Sequence, residues 1–216
     1  MNSAPNLSGP DVVDSKPAVP PLILASASPS RRALLEAAAV PFTHRAARID
    51  ETEIKLAMRQ EKADAMAVAE TLAELKACRI SQKEPTALVI GADQILTCGD
   101  VWFDKPADLD QAAGHLRALS GRSHDLSTCV CLAKGGRRIW HHRESARLTL
   151  RPLSDSFIRS YLAAVGEAAL TSVGGYRLEG RGAQLFSKIE GDFFTILGLP
   201  LLPLLAVLRS HGVIEE

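Results

Sequence analysis

The chain has 216 residues, 46% of them hydrophobic and 23% charged, an ordinary globular balance with enough material for a self-supporting core. Lys and Arg number 25, as do Asp and Glu, so the formal net charge is zero. That excludes a nucleic-acid binder relying on bulk positive charge and is compatible with a small anion held by a local basic cluster.

The first 21 residues hold five of the twelve prolines, with Ser, Asn, Asp and Gly among them. Residues 1–20 therefore read as a disordered, proline-rich leader without a secretory signal, ahead of a single folded unit over 21–216. Leu22, Ile23 and Leu24 read as a short buried strand. Ser28 and Pro29 read as the N-cap and first residue of a helix carried on by Ala33, Leu34, Leu35, Ala37 and Ala38. "PFTHRAA" is a candidate second strand, and "RIDE" a loop. The spacing predicts one long helix from Ile54 to Ile80, ended before Pro85. "ALVIGADQIL" reads as a strand covered on both faces, because its start is almost continuously apolar. A helix follows over Asp108 to Leu119, then the turn "SGRS". "HDLSTCVCLA" and "RRIWHHRESARLTL" form a hairpin around Gly135 and Gly136. Ser154 caps a helix running to Val165. After the glycine-rich "VGGYRLEGRG", "AQLFSKI" and "FFTIL" read as strands, and a last helix follows Pro200. Crossover helices together with hairpins define an α/β protein with a mixed sheet. The longest apolar run, "FFTILGLPLLPLLAVL", is 16 residues long and broken by Gly198, Pro200 and Pro203, too short to cross a bilayer. None of Cys78, Cys98, Cys129 and Cys131 forms a C-x-x-C pair, and Cys129 and Cys131 share one strand face. A reduced, cytoplasmic setting is expected.

Three placements carry chemical information. Arg31 and Arg32 fall in the first turn of a helix, where the dipole is already positive and each cation costs a few tenths of a kcal/mol to about 1 kcal/mol. A phosphate at that helix mouth would remove the conflict, with Ser26 and Ser28 adding hydroxyls; the alternative is that both arginines point to solvent. On the predicted long helix, Lys62 lines up with Met58, Ala65, Met66, Ala69 and Ala73 on the apolar stripe. It either snorkels to the edge of the core or faces a cleft that holds anions. Asp93 shares a strand face with Val89, Gly91 and Ile95, so its carboxylate needs a salt bridge, a metal or a role as general base. Gly91 permits close approach of another element. Glu51, Lys105 and Asp192 are unremarkable taken singly, and His124, His141 and His142 lack metal-ligand spacing. No Rossmann or P-loop glycine pattern is present. Cations for phosphates beside acids for a divalent ion are the inventory of phosphoanhydride chemistry.

"LILASASPSRRALLEAA", "IDE", "EKA", "GADQIL", "KP", "LSGRSH", "GGYRLEGRGAQLFSKIEGD" and "GLPL" occur in that order. Together they resemble the Maf family, also called septum-formation inhibitor proteins, whose members are nucleoside triphosphate pyrophosphatases. The likeness spans about residues 22 to 209. It implies an elongated mixed sheet flanked by helices, two lobes around a deep cleft, and cleavage between the α- and β-phosphates to give a monophosphate and pyrophosphate. It also implies a divalent cation, Mg²⁺ or Mn²⁺, and permits a homodimer, with neither nucleic acid nor membrane as partner. Carried over by position, Ser26 and Arg31 would bind phosphate, and Lys62 and Lys105 would neutralise the triphosphate. Glu51 and Asp93 would hold the metal, with Asp93 also the proton acceptor.

Three positions expected to sort bases depart from the dTTP- and UTP-acting pattern: Ser30 replaces the first arginine of "SPRR", Gln94 follows the aspartate, and Glu179 precedes the later glycine. Gln94, "LEG" and "GLPL" resemble the branch acting on 7-methyl-GTP, which commonly has a bulky aromatic where this chain has Ser30. An acidic Glu179 could accept hydrogen bonds from a guanine edge or complement a cationic methylated base. The alternative function is a non-catalytic nucleotide-binding regulator of cell division; a nucleotide-dependent transferase is a further one.

Overall fold

The computed structural model describes residues 19–215. The proline-rich leader expected over residues 1–20 lies almost wholly outside them. In chain order the elements are β1 (Leu22–Leu24), α1 (Pro29–Ala37), β2 (Thr43–His44), α2 (Glu51–Gln60), α3 (Ala65–Ser81), β3 (Leu88–Cys98) and β4 (Val101–Phe103). They continue with α4 (Leu109–Leu119), β5 (Ser123–Lys134), β6 (Arg137–Leu150), α5 (Asp155–Val165), β7 (Phe186–Glu190), α6 (Phe193–Ile196) and α7 (Leu201–Ser210). Seven strands form one mixed, open sheet in the order β2-β1-β3-β5-β6-β7, with β4 also on β3. β1 pairs in parallel with β2 and β3, and the remaining pairs are antiparallel. The α/β class and the mixed sheet expected from the alternation are both present.

Side chains of β3 alternate between two cores, as the two-residue strand period requires. Leu88, Ile90 and Ala92 pack with Leu34 and Leu35 of α1 and Leu204 and Leu208 of α7. Val89 and Ile95 face the other way, onto Val68, Ala69, Leu72, Ala73 and Ala77 of α3, alongside Cys129 and Cys131. A third core gathers Leu96, Leu116, Leu119, Leu126, Leu148, Ile158 and Tyr161 around α4 and α5. The first two cores make one lobe and the third makes the other; β3 and β5 run through both. All four cysteines are free. Among the described residues no helix is long and apolar enough to cross a membrane.

Four local expectations change. The single helix over Ile54–Ile80 is two helices, because Lys62 adopts φ 60°, a left-handed conformation that no α-helix continues through. Asp64 then caps α3 by accepting from the Ala67 N–H at 2.7 Å. "RIDE" is not loop throughout: Asp50 caps α2 through the Glu53 N–H at 2.9 Å, and Glu51 is the first residue of that helix. "FFTIL" is a short helix, not a strand, since Asp192 accepts from the Thr195 N–H at 2.7 Å and starts a turn that Gly198, at φ 95°, ends. The strand expected over "AQLFSKI" begins only at Phe186. Gly182 holds the preceding segment in tight turns, because a Cβ there would collide with the Arg177 carbonyl oxygen.

The fit of α3 on β3 depends on Gly91. A Cβ at that position would meet Ala77 Cβ at 2.8 Å and Ala77 N at 2.9 Å, and would overlap the Ala73 carbonyl oxygen. Backbone atoms of a helix cannot yield cheaply, so Gly91→Ala pushes α3 off the sheet. Such overpacking typically costs about 1–3 kcal/mol. Urea unfolding of Gly91→Ala is expected to show a lower midpoint at unchanged slope.

Candidate active site

The cleft opens where the central strand has no neighbour. β1 pairs with β3 only as far as Leu24↔Ile90, and β4 joins at Leu96↔Phe103. Between these points the β3 edge on that side has no strand partner among the described residues. The resulting cavity is about 510 Å³. It lies beyond the carboxyl end of the parallel strand β1, where α/β sheets place their ligands. At an edge, residues from both strand faces reach the same space, so Asp93 and Gln94, which point to opposite sides of the sheet, both line it.

Of the residues selected from sequence, Ser26, Ser30, Arg31, Glu51, Asp93, Gln94, Lys105 and Glu179 line this one cleft. Lys62 does not. It sits exposed in the turn between α2 and α3, and the helix break removes it from the apolar stripe on which it was placed. The inward lysine is Lys76, on the buried stripe of α3 with Ala69, Leu72, Ala73, Ala77 and Ile80. Reading the stripe from Asp64 as a helix start, instead of through Lys62, identifies it. Lys55, Asp104 and Arg177 also line the cleft and were not singled out from sequence.

Lys76 Nζ donates to Asp93 Oδ1 at 2.5 Å and meets Glu51 Oε1 at 2.8 Å. One buried ammonium thus offsets two carboxylates from separate elements. Burial by itself would raise the Glu51 carboxyl, but the charge and hydrogen bond of Lys76, with Lys55 and Arg31 further off, hold it below the usual range. Asp93 Oδ2 is buried with no partner among the described residues. A buried carboxylate oxygen left in that condition costs free energy unless a cation, a water or a donor meets it.

Arg31 is buried at the helix mouth. Its Nε donates to the Gly198 carbonyl at 2.7 Å and its Nη1 to Ser26 Oγ at 3.3 Å; Ser26 Oγ also accepts from the Ser28 N–H at 3.2 Å. Burial lowers the guanidinium, against the opposing charges of Asp93 and Glu51. The first-turn cation is therefore compensated from within the protein, and Arg31 also ties α1 to the end of α6. Arg32 takes a different course: its Nη1 lies 3.4 Å from His44 Nε2, away from the cleft. Lys105 keeps contact with solvent, yet the cleft walls strip part of its hydration; that desolvation and repulsion from Arg31 lower its ammonium. Lys55 of α2 donates to Asp104 Oδ1 at 2.6 Å, which joins the two rims. Burial would lower the Lys55 ammonium, and Asp104 reverses that to a net rise.

The far wall presents hydrogen-bond acceptors. Gln94 Nε2 donates to Thr128 Oγ1 at 2.9 Å, the Thr195 carbonyl at 2.9 Å and the Ile196 carbonyl at 3.3 Å. Two of those partners are carbonyls that can only accept, so the amide orientation is dictated and Oε1 remains as an acceptor. Glu179 Oε1 receives both Arg177 Nε at 2.8 Å and Nη2 at 2.5 Å, which fixes this carboxylate in place. Arg177 is itself set by its N–H donating to Tyr161 Oη at 3.1 Å. Beneath this wall Tyr176 Oη lies 2.7 Å from His124 Nε2.

Metal ligation can be judged from these donors. Among the described residues no group of three or more His, Cys, Asp or Glu side chains could hold an ion by itself. Asp93 and Glu51, with Asp93 Oδ2 lacking a partner, instead offer the pair of carboxylates with which Mg²⁺ is commonly bound when substrate phosphates and waters complete its octahedron. The residues fit that mode.

Fold and cleft define an open-sheet α/β protein with a charge-lined site at the edge of its central strand, cationic on the helix-mouth side and acidic beside it. Residues 21–211 match the family model described as Maf-like protein, and the chain belongs to the Maf family. It is 53% identical over 190 residues to a nucleoside triphosphate pyrophosphatase of Paramagnetospirillum magneticum, covering 88% of this chain and 98% of that one. It is also 53% identical over 196 residues to a 7-methyl-GTP pyrophosphatase of Rhizobium johnstonii, covering 91% and 98% of the two chains. Another relative, a 7-methyl-GTP pyrophosphatase of Brucella abortus, is 47% identical over 194 residues, 90% of this chain and 98% of that one.

Burial drives the His124 imidazole down to about 4. The unfolded imidazole titrates near 6.5, so the unfolded chain binds the extra proton between these values. Stability from burying neutral His124 is present above pH 6.5 and lost as pH falls toward 4, by roughly 3 kcal/mol if this group acts alone. Urea midpoints measured from pH 7 to pH 4.5 should fall steeply for the wild type and less steeply for His124→Gln.

Proposed function

We propose that this chain hydrolyses the α–β phosphoanhydride of nucleoside triphosphates to a nucleoside monophosphate and pyrophosphate. The observation that carries the reading is the convergence of Arg31, Lys76 and Lys105 with Glu51 and Asp93 in one cleft. The family membership and the names of the relatives agree with it.

In this reading the triphosphate lies along the cationic side. Arg31 and Ser26 hold phosphate at the mouth of α1, and Lys105 and Lys55 neutralise the outer phosphates. Asp93 accepts a proton from the attacking water, whose oxygen bonds to the α-phosphorus as the bond to the α–β bridging oxygen breaks. The electron pair leaves with pyrophosphate, and the fixed cations stabilise its growing charge without reorganising at the moment of reaction. Lys76 pairs with both Asp93 and Glu51, orients them, and holds the Glu51 carboxyl below its usual range. Asp93 and Glu51 would hold Mg²⁺ or Mn²⁺, which supplies Lewis-acid polarisation and charge neutralisation when bound. Four free cysteines suit a reducing compartment such as the cytoplasm.

Base preference follows from the acceptor wall. Gln94 Oε1 and the Glu179 carboxylate match a base edge rich in donors, as guanine presents, and the negative charge of Glu179 complements a cationic 7-methylguanine. Thymine and uracil offer a single ring N–H between two carbonyls and would place acceptors against acceptors. A panel of canonical and methylated triphosphates, followed by pyrophosphate release, should favour guanine-type substrates; Glu179→Gln should reduce that preference, and an unchanged preference removes Glu179 from base selection.

Asp93→Asn is nearly isosteric and is expected to lower turnover at least 100-fold, within the 10²–10⁴-fold range typical of a lost general base. Lys62→Ala should leave kcat/KM within about twofold, since Lys62 is exposed in a turn outside the cleft. Steady-state assays of the two variants with Mg²⁺ check both; full activity in Asp93→Asn would overturn the assignment of Asp93.

A further inference from the structure

A second crevice of about 340 Å³ lies behind the wall formed by Ala46, Ala47 and Arg48. The same three residues line the main cleft, so one short segment separates the two cavities. Its charged lining is entirely basic: Arg45 and Arg48 come from the segment between β2 and α2, and Arg79 and Lys83 from the end of α3. In a chain of zero net charge this is a local concentration of cations. Arg45 is paired with Glu84 at 2.7 Å; Arg48, Arg79 and Lys83 have no carboxylate partner among the described residues.

A helix C-terminus attracts cations, and that alone accounts for Arg79 in the last turn of α3. It does not account for Arg45 and Arg48 arriving at the same place from a different segment. Arg48 moreover adopts φ 48°, a left-handed conformation that a non-glycine residue enters at a cost of about 1–3 kcal/mol where the surroundings impose it. Three cations without carboxylate partners among the described residues, one of them on a strained backbone, thus line one concave space and raise its positive potential. Arg79 lies in the last turn of α3 and Lys83 in the turn just past it, so the crevice sits beside the C-terminal end of the helix that also supplies Lys76 to the main cleft.

We propose that this crevice is a second anion site, separate from the catalytic cleft, that takes a small oligophosphate. The phosphate group is the shared chemistry, whether it comes as free pyrophosphate or as the tail of a nucleotide. Because the wall is common, occupation of the crevice is felt at Ala46–Arg48 and so at the rim of the main cleft. The site stands on its own geometry and does not require that the main cleft be catalytic.

Calorimetric titration of the full chain with inorganic pyrophosphate, and in parallel with a nucleoside triphosphate carrying a non-hydrolysable α–β methylene bridge, tests the proposal. The wild type should show two binding events with at least one of the probes; events with pyrophosphate assign the free anion, and events with the analogue alone assign the nucleotide tail. Arg79→Ser/Lys83→Ser should weaken one event at least tenfold and leave the other, while the charge-preserving Arg79→Lys/Lys83→Arg should retain both. Lys105→Ala should weaken the event that Arg79→Ser/Lys83→Ser spares, which separates the crevice from the cleft. Circular dichroism and the urea midpoint establish that each variant is folded. A single event with both probes in the wild type, or two events unchanged in Arg79→Ser/Lys83→Ser, overturns the second site whatever the catalytic assays show.

Discussion

The ammonium of Lys76, held between Asp93 and Glu51, sets the electrostatics of the whole cleft. Two carboxylates close together and partly dehydrated repel one another, and a cation shared between them offsets that repulsion. Lys76 has the opposite need, since a buried ammonium without counter-charge is equally unfavourable. The arrangement satisfies each group only because α3 rides close enough on β3 for the lysine to reach. That approach is set by Gly91, whose missing side chain admits the Ala73–Ala77 backbone. A packing constraint and an electrostatic one are thus the same constraint.

The site's position follows from strand lengths. β1 stops at Leu24 and β4 begins only opposite Leu96, which exposes an interval of the central strand's edge. Neighbouring residues on that interval can serve one ligand from both sides of the sheet: Asp93 faces the ion-paired, acidic side, and Gln94 the side where its amide is clamped by Thr128, Thr195 and Ile196. In the proposed reading, phosphate chemistry and base selection fall to the two faces of one strand. The glycine-rich segment closes the remaining wall, with Arg177 holding Glu179 so that its charge is fixed in direction.

Arg31 shows how local and tertiary forces differ in kind. Its first-turn placement conflicts with the α1 dipole, and that conflict is visible in the sequence. Its resolution has two parts. The Gly198 carbonyl, 167 positions further along the chain, accepts from the guanidinium. Asp93 and Glu51 supply opposing charge. Arg32, next to it and chemically identical, finds His44 instead. Helical rotation of about 100° per residue is enough to send two adjacent arginines to different surroundings.

Features set by short-range periodicity and capping are legible in the amino-acid order alone. The strand character of Leu88–Cys98, the hairpin at Gly135 and Gly136, the Ser28 and Ser154 caps and the close-approach role of Gly91 are all written in neighbouring residues. Asp93 was legible as a carboxylate among aliphatics, and the ordered motifs pointed to Glu51, Lys105, Gln94 and Glu179. Which lysine faces inward depends instead on how the helices break and dock. Periodicity carried through Lys62 selected the wrong one, because a single left-handed residue resets the phase of every side chain after it, and Lys76 became the inward cation on the new helix. The Arg177–Glu179 clamp, the Lys55–Asp104 link and the cleft itself likewise arise only in the folded chain. Each joins groups whose proximity is produced by sheet register and helix docking, forces that act between segments and leave no period in the sequence of either one.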